Sequence, residues 1–402
     1  TYKQTELGLI PEDWEVKKFN KFSKFYSGGT PLTSKSEYYG GEIPFIKSGE
    51  IYYDRTEQFL TQEGLNNSSA KLVYRGDLLY ALYGANSGEV AISQLEGAIN
   101  QAILCIQQNK DEAETIYLYN YLKLEKSNII NKFLQGGQGN LSADIIKNLQ
   151  IPLPPLPEQK KIADCLSTWD VAIEKQSALI NALTDRKKAL MQQLLTGKKR
   201  LPGFSGEWKE VSLIELADFR RGSFPQPYGL PEWYDNEYGE PFIQVYDVGD
   251  NFNLKPTTKS KISELAQVQS VFIKKGTLIV TLQGSIGKVA ITNYDAYIDR
   301  TLLLFSSFKM KVDIYFIMYQ IHNLFNIEKE KAPGGIIKTI TKEVLSNFKI
   351  KLPSFEEQTA IAEILATADR ELQLQKEKLA QLQIQKKGLM QVLLTGKKRL
   401  IN

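Results

Sequence analysis

Residues 190–201 read LMQQLLTGKKRL and residues 389–400 read LMQVLLTGKKRL, so one string recurs at an offset of 199 residues with a single change. The same offset aligns Glu158-Gln159 with Glu357-Gln358 without a gap. Self-similarity at a fixed spacing indicates an internal duplication. We therefore expect the chain to consist of two similar halves.

The regions upstream of these strings are also related, although less closely. Residues 76–92 read GDLLYALYGANSGEVAI and residues 276–291 read GTLIVTLQGSIGKVAI, with one residue gained or lost. Residues 47–72 and 244–271 share little. Short Tyr-, Ile- and Val-rich runs between glycines predict strands and turns across roughly the first 150 residues of each half. One part of each half is thus held alike while another part has diverged.

Each half ends in a segment whose apolar residues recur alternately four and three residues apart, which is the a/d pattern of a coiled coil. A helix of about 38 residues would span roughly 57 Å, and its single apolar seam needs a partner. An ordinary helical bundle is the alternative to an internal pair. The predicted helix-pair interface comprises Ile162, Leu166, Ile173, Gln176, Ile180, Leu183, Lys187, Leu190, Leu194, Ile361, Leu365, Leu372, Gln375, Leu379, Leu382, Lys386, Leu389 and Leu393.

An antiparallel pair would return the C-terminal tail, residues 397–399, to the N terminus. Residues 197–208 (GKKRLPGFSGEW) would then introduce the second half as the tail, joined to residues 1–14, introduces the first. One register consistent with this symmetry sets Gln176 against Lys386 and Lys187 against Gln375, since it pairs the polar exceptions of the two seams.

The predicted fold class is α+β, with two similar domains, each followed by a long helix. The helices form an antiparallel coiled coil with pseudo-two-fold, circular symmetry. The predicted segments are residues 1–155 (first domain), 156–197 (first helix), 198–353 (linker and second domain) and 354–402 (second helix and tail). At 402 residues and 42% hydrophobic content, two folded domains are expected.

Composition excludes several classes of protein. No run approaches the ~18 apolar residues of a membrane span, and the polar start lacks the apolar core of a signal peptide. A cytoplasmic protein without membrane contact is expected. The two cysteines, Cys105 and Cys165, make neither a disulfide framework nor a metal cluster. The net charge of +4 favours an anionic partner, but it is too small to decide what the protein binds.

Catalytic chemistry is missing from the sequence. The single histidine, His322, has no counterpart in the other half. No phosphate-binding loop, H-E-x-x-H or paired CxxC motif is present, nor is the catalytic motif of amino-methyltransferases. We therefore expect a protein without catalytic residues, metal or cofactor.

Several motifs resemble those of the specificity subunits of type I restriction-modification enzymes. They are LGLIPEDW at residues 7–14, IPLPPLPEQKKIA at residues 151–163, its recurrence IKLPSFEEQTAIA at residues 350–362, and the repeated helix end LLTGKKR. The resemblance covers essentially the whole chain. It implies that each domain is a target-recognition domain that reads one half of a split double-stranded DNA site.

The same resemblance implies partners. The helix pair would fix the gap between the half-sites and dock two methyltransferase subunits. Restriction subunits, which hydrolyse ATP and translocate DNA, would join the complex. Two other readings stay open: a duplicated coiled-coil adaptor that binds protein or RNA, and a recognition module of a stand-alone methyltransferase-nuclease.

DNA contacts are expected on loops, because base edges are read by paired donors and acceptors and phosphates by Lys, Arg, Ser, Thr or bare backbone N–H groups. Hairpin turns and solvated surface are the plain alternatives for the same residues. The candidates in the first half are Gly28, Gly29, Thr30, Lys35, Lys47, Ser48, Arg75, Tyr83, Asn86, Ser87, Gln101, Gln135, Gln138 and Asn140. Those in the second half are Arg220, Arg221, Ser223, Gln226, Tyr228, Gln244, Tyr246, Gln283, Ser285, Lys288, Arg300, Lys331 and Lys338.

Overall fold

The computed structural model describes residues 1–133, 140–331 and 345–400. The chain divides into two compact units: the first comprises Thr1–Ser177 and Glu377–Asn402, and the second comprises Ala178–Lys376. Both boundaries fall inside long helices, so each unit contains a part of each helix.

The first unit is built largely from short strands that precede a long helix. Its strands are β1 (Tyr2–Thr5), β2 (Gly8–Pro11), β3 (Glu15–Lys18), β4 (Ser23–Ser27), β5 (Tyr39–Ile46), β6 (Phe59–Leu60), β7 (Lys71–Val73), β8 (Leu78–Ala81), β9 (Val90–Ile92), β10 (Gly97–Ile99), β11 (Ile103–Gln108) and β12 (Gln150–Leu153). Its helices are α1 (Gln62–Asn66), α2 (Thr115–Phe133), α3 (Ala143–Lys147) and the start of α4 (Leu156–Leu194).

From β3 onwards, the second unit repeats most of this order of elements, whereas β1 and β2 have no counterpart among its described elements. Its strands are β13 (Lys209–Ser212), β14 (Ala217–Arg221), β15 (Glu240–Ile243), β16 (Ser260–Ile262), β17 (Val271–Ile273), β18 (Leu278–Thr281), β19 (Val289–Ile291), β20 (Ala296–Ile298), β21 (Leu302–Phe308) and β22 (Lys349–Leu352). Its helices are α5 (Leu213–Leu216), α6 (Glu264–Gln267), α7 (Ile314–Lys331) and most of α8 (Phe355–Leu393).

The sheets of the two units have the same topology. In the first unit the strand orders are β4-β11-β8-β9 and β6-β5-β10-β7, and in the second they are β14-β21-β18-β19 and β16-β15-β20-β17. In each unit a single parallel pair stands among antiparallel neighbours: β5 with β10, and β15 with β20. The internal duplication predicted from the sequence is therefore confirmed at the level of strand order.

The duplicated Glu-Gln motif has a structural explanation at the start of each long helix. The buried amide of Gln159 donates to the carbonyl oxygens of Glu112 and Pro154 and accepts from the backbone N–H of Glu114. Gln358 makes the matching bonds to Pro353 and Asp313. Buried backbone groups need hydrogen-bond partners, so this glutamine ties the helix start to the domain in both units.

The C-terminal end of each long helix is closed by glycine. Gly197 and Gly396 both have φ of +71°, a left-handed conformation that favours glycine. Gly396 packs against Trp14 of the N-terminal segment, and the Tyr2 hydroxyl donates to the Gly396 carbonyl at 3.0 Å. Gly197 packs in the same way against Trp208. The predicted return of the C-terminal tail to the N terminus is confirmed.

Within each unit the segments of the two long helices run antiparallel. In the first unit Arg399, just after α8, pairs with Glu158 at the start of α4, while Lys386 pairs with Asp170 further along. In the second unit Arg200 pairs with Glu357 and Lys187 with Asp369. Every residue of the predicted interface is buried or half-buried.

The predicted register of the helices is wrong. Lys386 donates to Asp170, six residues before its predicted partner Gln176, and Lys187 stands in the same relation to Asp369. Six residues correspond to about 9 Å along a helix. The lysines pair with carboxylates because a largely buried ammonium group needs an opposite charge and hydrogen-bond acceptors.

Among the described residues, no helix combines the length and apolar character required to cross a bilayer.

Candidate nucleic-acid interface

Two polar loops leave the first unit at the same sheet edge. β5 and β10 are parallel, with Ile46 opposite Ile99. The carboxyl ends of these strands therefore meet, and Lys47 follows one strand while Asn100 and Gln101 follow the other. Residues at this edge are exposed or half-buried, so their side chains are accessible from solvent.

Two further loops of the first unit join them. The backbone N–H of Leu82, just after β8, donates to the carbonyl of Ala102 at 2.8 Å. After β4, a Cβ on Gly28 would lie only 1.7 Å from the carbonyl oxygen of Ile99, so only glycine fits there. We call residues 28–30, 47–49, 83–87 and 100–101 the first loop cluster.

The second unit builds the same arrangement. Ile243 of β15 lies opposite Ile298 of β20, and the Leu282 N–H donates to the Thr301 carbonyl at 2.9 Å. A Cβ on Gly222 would lie 2.3 Å from the Ile298 oxygen. We call residues 222–228, 244–246, 283–285 and 299–301 the second loop cluster.

A polar network connects the side chains of the second loop cluster. The Tyr228 hydroxyl donates to Asp299 Oδ2 at 2.5 Å and accepts from Gln244 Nε2 at 2.8 Å. The Tyr246 hydroxyl donates to Gln244 Oε1. The guanidinium of Arg300 lies over the Tyr228 ring, 5.4 Å from its centroid. Partial burial and the neighbouring Asp299 carboxylate raise the pKa of Tyr228, which keeps its phenol protonated as a donor.

A buried carboxylate fixes the backbone beside this network. Asp247 accepts the N–H groups of Gln244 at 2.8 Å and Lys259 at 3.0 Å. Burial raises the pKa of Asp247, although these two N–H groups oppose the shift. In the first unit Glu50 accepts the Lys47 N–H at 3.0 Å and so plays the equivalent part. Both loops are held by a carboxylate three residues downstream.

The first loop cluster carries fewer charges. Thr30 Oγ1 donates to Gln101 Oε1 at 2.7 Å, so two predicted residues from distant loops meet. Asn86 lies beside Gly49, with its Nδ2 3.4 Å from the position of a Cβ there. Tyr83 is 36% exposed. Lys47 is the cation of this cluster, since the other members are uncharged.

Other predicted residues lie outside the clusters or are engaged elsewhere. Arg75 lies in the turn before β8, one strand length from the loop that follows that strand. Lys288 pairs with Asp250 at 2.6 Å, and Lys35 donates to the Tyr38 hydroxyl at 3.0 Å. Arg220 and Arg221 are exposed at the end of β14, directly before the second loop cluster.

The other predicted residues differ in their burial and in their hydrogen bonds. Ser87 is 8% exposed and its hydroxyl donates to the Leu82 carbonyl at 3.0 Å. Ser223 Oγ donates to the Gln269 carbonyl at 2.8 Å. Gly29 is buried against Ser69. The remaining exposed or half-buried candidates are Ser48, Asn140, Gln226, Gln283 and Ser285. Gln135, Gln138, Lys338 and the side chain of Lys331 lie outside the described part of the chain.

Sequence reasoning missed one member of the second loop cluster and one residue that lies beside it. Asp299 anchors Tyr228 through its carboxylate, and Lys259 lies over the Tyr246 ring at 5.0 Å. Asp299 directly precedes the predicted Arg300 in the sequence, and this adjacency is the hint that the sequence offers of a place in the site. The position of Lys259 depends on the fold of the loop after β15, which has no counterpart in the aligned repeats.

No metal centre is evident in the described ranges, where no group of three or more His, Cys, Asp or Glu side chains is placed to hold an ion. Cys105 is buried in the first unit, and burial raises the pKa of its thiol to about 12. A thiol with that pKa is not a nucleophile at neutral pH.

The sequence profile described as "Type I restriction modification DNA specificity domain" matches residues 11–185 and 205–383. The chain is similar to the type I restriction enzyme MjaVIII specificity subunit of Methanocaldococcus jannaschii, with 28% identity over 422 residues, covering 100% of this chain and 96% of the relative. It is also 25% identical over 193 residues to the EcoR124I/EcoR124II specificity subunit of Escherichia coli, which is 46% of each chain.

Two solved structures share the fold. One, from a study of complex assembly and conformational transition in the type I R-M system, superposes with a TM-score of 0.65 at 20% identity over 97% of this chain and 99% of its own. The other is a type I restriction-modification S subunit from M. genitalium, with a TM-score of 0.57 at 15% identity over 94% and 96%.

Proposed function

Because this chain belongs to the type I restriction-modification DNA specificity family, we propose that each of its two loop clusters reads one half of a split double-stranded DNA site. The proposal rests on one observation: the two units share a scaffold but present different side chains on it. Both units present four loops at the same sheet edge, yet the exposed residues differ. Two readers of different half-sites require this combination.

The chemistry of the clusters suits duplex DNA. Arg300 in the second cluster, with Arg220, Arg221 and Lys259 beside it, supplies cations for phosphates. Gln244 offers donor and acceptor groups to a base edge. In the first cluster Lys47 is the cation, and Gln101 and Asn86 offer donor and acceptor groups in the same way. We expect phosphate contacts to position the units and a few side chains to specify bases.

We propose that residues 1–155 and 198–353 are the target-recognition domains and that the helix segments 156–197 and 354–402 space them. Each long helix has 39 residues, or about 58 Å of rise. A rigid spacer fixes both the distance and the groove face presented to each reader, because DNA turns once in roughly 34 Å. The predicted a/d residues would form the seam of this spacer.

The subunit would act without catalysis of its own. Its partners, in this proposal, are double-stranded DNA, two methyltransferase subunits docked on the helix pair, and ATP-dependent restriction subunits. A soluble, cytoplasmic complex is the setting we propose. A cofactor is not needed for recognition by side chains and shape.

Salt dependence of DNA binding tests the function directly. We expect the full chain, with its co-expressed methyltransferase subunits, to bind a cognate duplex with an affinity that falls at least ~100-fold between about 50 and about 200 mM salt. Fluorescence anisotropy with labelled duplexes measures this. Preference for the cognate over a scrambled duplex should persist throughout.

A matched pair of variants sharpens this test. The double substitution Arg220→Gln with Arg221→Gln should weaken binding to all sequences and lower the salt slope by about 1–2, whereas Arg370→Gln on α8 should leave both unchanged. A flat salt response, or equal binding to duplex RNA, would favour the adaptor reading. Failure to co-purify with separate methyltransferase subunits would favour a module of a stand-alone methyltransferase-nuclease.

A further inference from the structure

Gln101 and Arg300 occupy the same position in the two units. Each is the second residue after the central parallel strand, β10 or β20. The residue before each makes the same turn: Asn100 Oδ1 accepts the Ala102 N–H at 3.1 Å, and Asp299 Oδ1 accepts the Thr301 N–H at 2.8 Å. The backbone is thus shared, and both side chains are exposed.

Within the described residues, the N–H donors of the Arg300 guanidinium are available for a ligand. Asp299 is the nearest acid in sequence, yet its two oxygens already accept from Tyr228 and from Thr301. In the described part of the chain the guanidinium makes neither a hydrogen bond nor an ion pair, and it stacks over the Tyr228 ring. Stacking restricts the rotamers of the arginine and orients its planar fork without using its N–H groups.

The amide of Gln101 is oriented in a different way. Thr30 donates to Gln101 Oε1 at 2.7 Å, which turns that oxygen towards the loop after β4. A carbonyl oxygen has two lone pairs, so one remains to accept from a base, and the Nε2 donors stay available. In the second unit the residue equivalent to Thr30 is Phe224, whose ring packs against Tyr228 at 4.9 Å. In both units the loop after the equivalent strand, β4 or β14, therefore orients the side chain at this position.

Resting on the proposed function, we propose that this shared position determines specificity: Gln101 selects an adenine in one half-site and Arg300 selects a guanine in the other. Glutamine pairs bidentately with adenine N6 and N7, and arginine with guanine O6 and N7, in the major groove. Thr30 and Tyr228 are positioning residues that act through these two side chains. Because the two units share this backbone turn, the base recognised at this position differs between the half-sites through the replacement of glutamine by arginine alone.

The test is selection from a library of randomised duplexes by the full chain with its methyltransferase subunits, followed by sequencing. Arg300→Gln should reduce the preference for one guanine roughly 10- to 100-fold and raise that for adenine at the same position, leaving the other half-site unchanged. Gln101→Arg should do the reverse in the other half-site. Lys274→Gln serves as the control, since Lys274 is an exposed cation of the same unit outside the loop clusters and the long helices, and this variant should select the wild-type motif.

Further variants separate base reading from phosphate binding and from structural roles. Arg300→Lys keeps the charge but not the fork, so it should lose the guanine preference while overall affinity falls less than 10-fold. Tyr228→Phe keeps the stacking ring and should retain the preference, whereas Tyr228→Leu should weaken it. A split motif that stays the same in both Arg300→Gln and Gln101→Arg would overturn this inference alone. A wild-type chain that selects no split motif would instead overturn the proposed function.

Discussion

His322 shows how burial sets the behaviour of a single residue. Its ring meets Phe252 edge-on at 5.0 Å, and Asn326 Nδ2 donates to its unprotonated Nε2 at 3.0 Å. Burial, together with the positive charge of Lys187, lowers the pKa of His322 from 6.5 to about 4. The residue is neutral in the folded state at neutral pH.

This shift predicts a pH-dependent stability. The unfolded chain takes up a proton below about pH 6.5 and the folded chain resists it, so the free energy of unfolding falls as the pH drops from 6.5 towards 4. Between pH 7.5 and pH 5 we expect a loss of about 2 kcal/mol that is absent in His322→Gln. Urea denaturation of both proteins at the two pH values measures it. An equal loss in the variant would contradict the assignment.

At the residue scale, the sequence predicted the types of side chain at the interface better than their partners. Tyr228, Gln244, Tyr246 and Arg300 were named as separate candidates, and the structure joins them in one network. The role of Asp299 could not be predicted, because it depends on a tyrosine 71 positions away in the chain. The burial of Ser87 could not be predicted either, because it follows from the packing of the whole loop.

At the scale of elements, the two long helices are held by matched ion pairs. In the first unit Lys386 is 7% exposed and its partner Asp170 is 45% exposed. In the second unit Lys187 is 15% exposed, Asp369 is 28% exposed, and Asp369 also accepts from the Tyr319 hydroxyl at 2.6 Å. Burial lowers the pKa of Lys386, although Asp170 opposes this shift.

Breaking the two pairs should have unequal effects. Asp369 is the more buried of the two acids and also accepts from Tyr319, so we expect Asp369→Asn to cost about 2–4 kcal/mol. Asp170→Asn should cost about 1–2 kcal/mol, because water already reaches that carboxylate. Asp185→Asn, exposed on α4, is the control and should be neutral. Chemical denaturation ranks the three variants, and a larger loss for Asp170→Asn than for Asp369→Asn would refute this explanation.

The elements themselves were predictable where the sequence is periodic. The 4,3 spacing predicted both long helices. The register was not predictable, because the apolar seam permits shifts of a heptad and the seam lysines pair with aspartates that lie outside the seam. The interpretation that matched polar a/d residues with one another missed these carboxylates.

At the scale of the whole molecule, duplication is the feature that the sequence revealed most clearly. A repeat offset of 199 residues predicted equivalent sheets, and the two four-stranded sheets of each unit have the same strand order. What the repeat could not predict is the chemistry of each loop cluster, since the clusters contain the residues in which the copies differ. Shared packing therefore defines the scaffold, and divergence marks the candidate DNA contacts.

Two readers on a fixed spacer would recognise a split site with a constant gap. The decisive experiment compares the motifs that the full chain selects, with its methyltransferase subunits, before and after deletion of one heptad from each long helix, residues 176–182 and 375–381. Seven residues of helix rise about 10 Å, or about three base pairs of DNA. We predict the same two half-sites with a gap shortened by about three base pairs. An unsplit motif, or a gap that the deletions leave unchanged, would contradict the account.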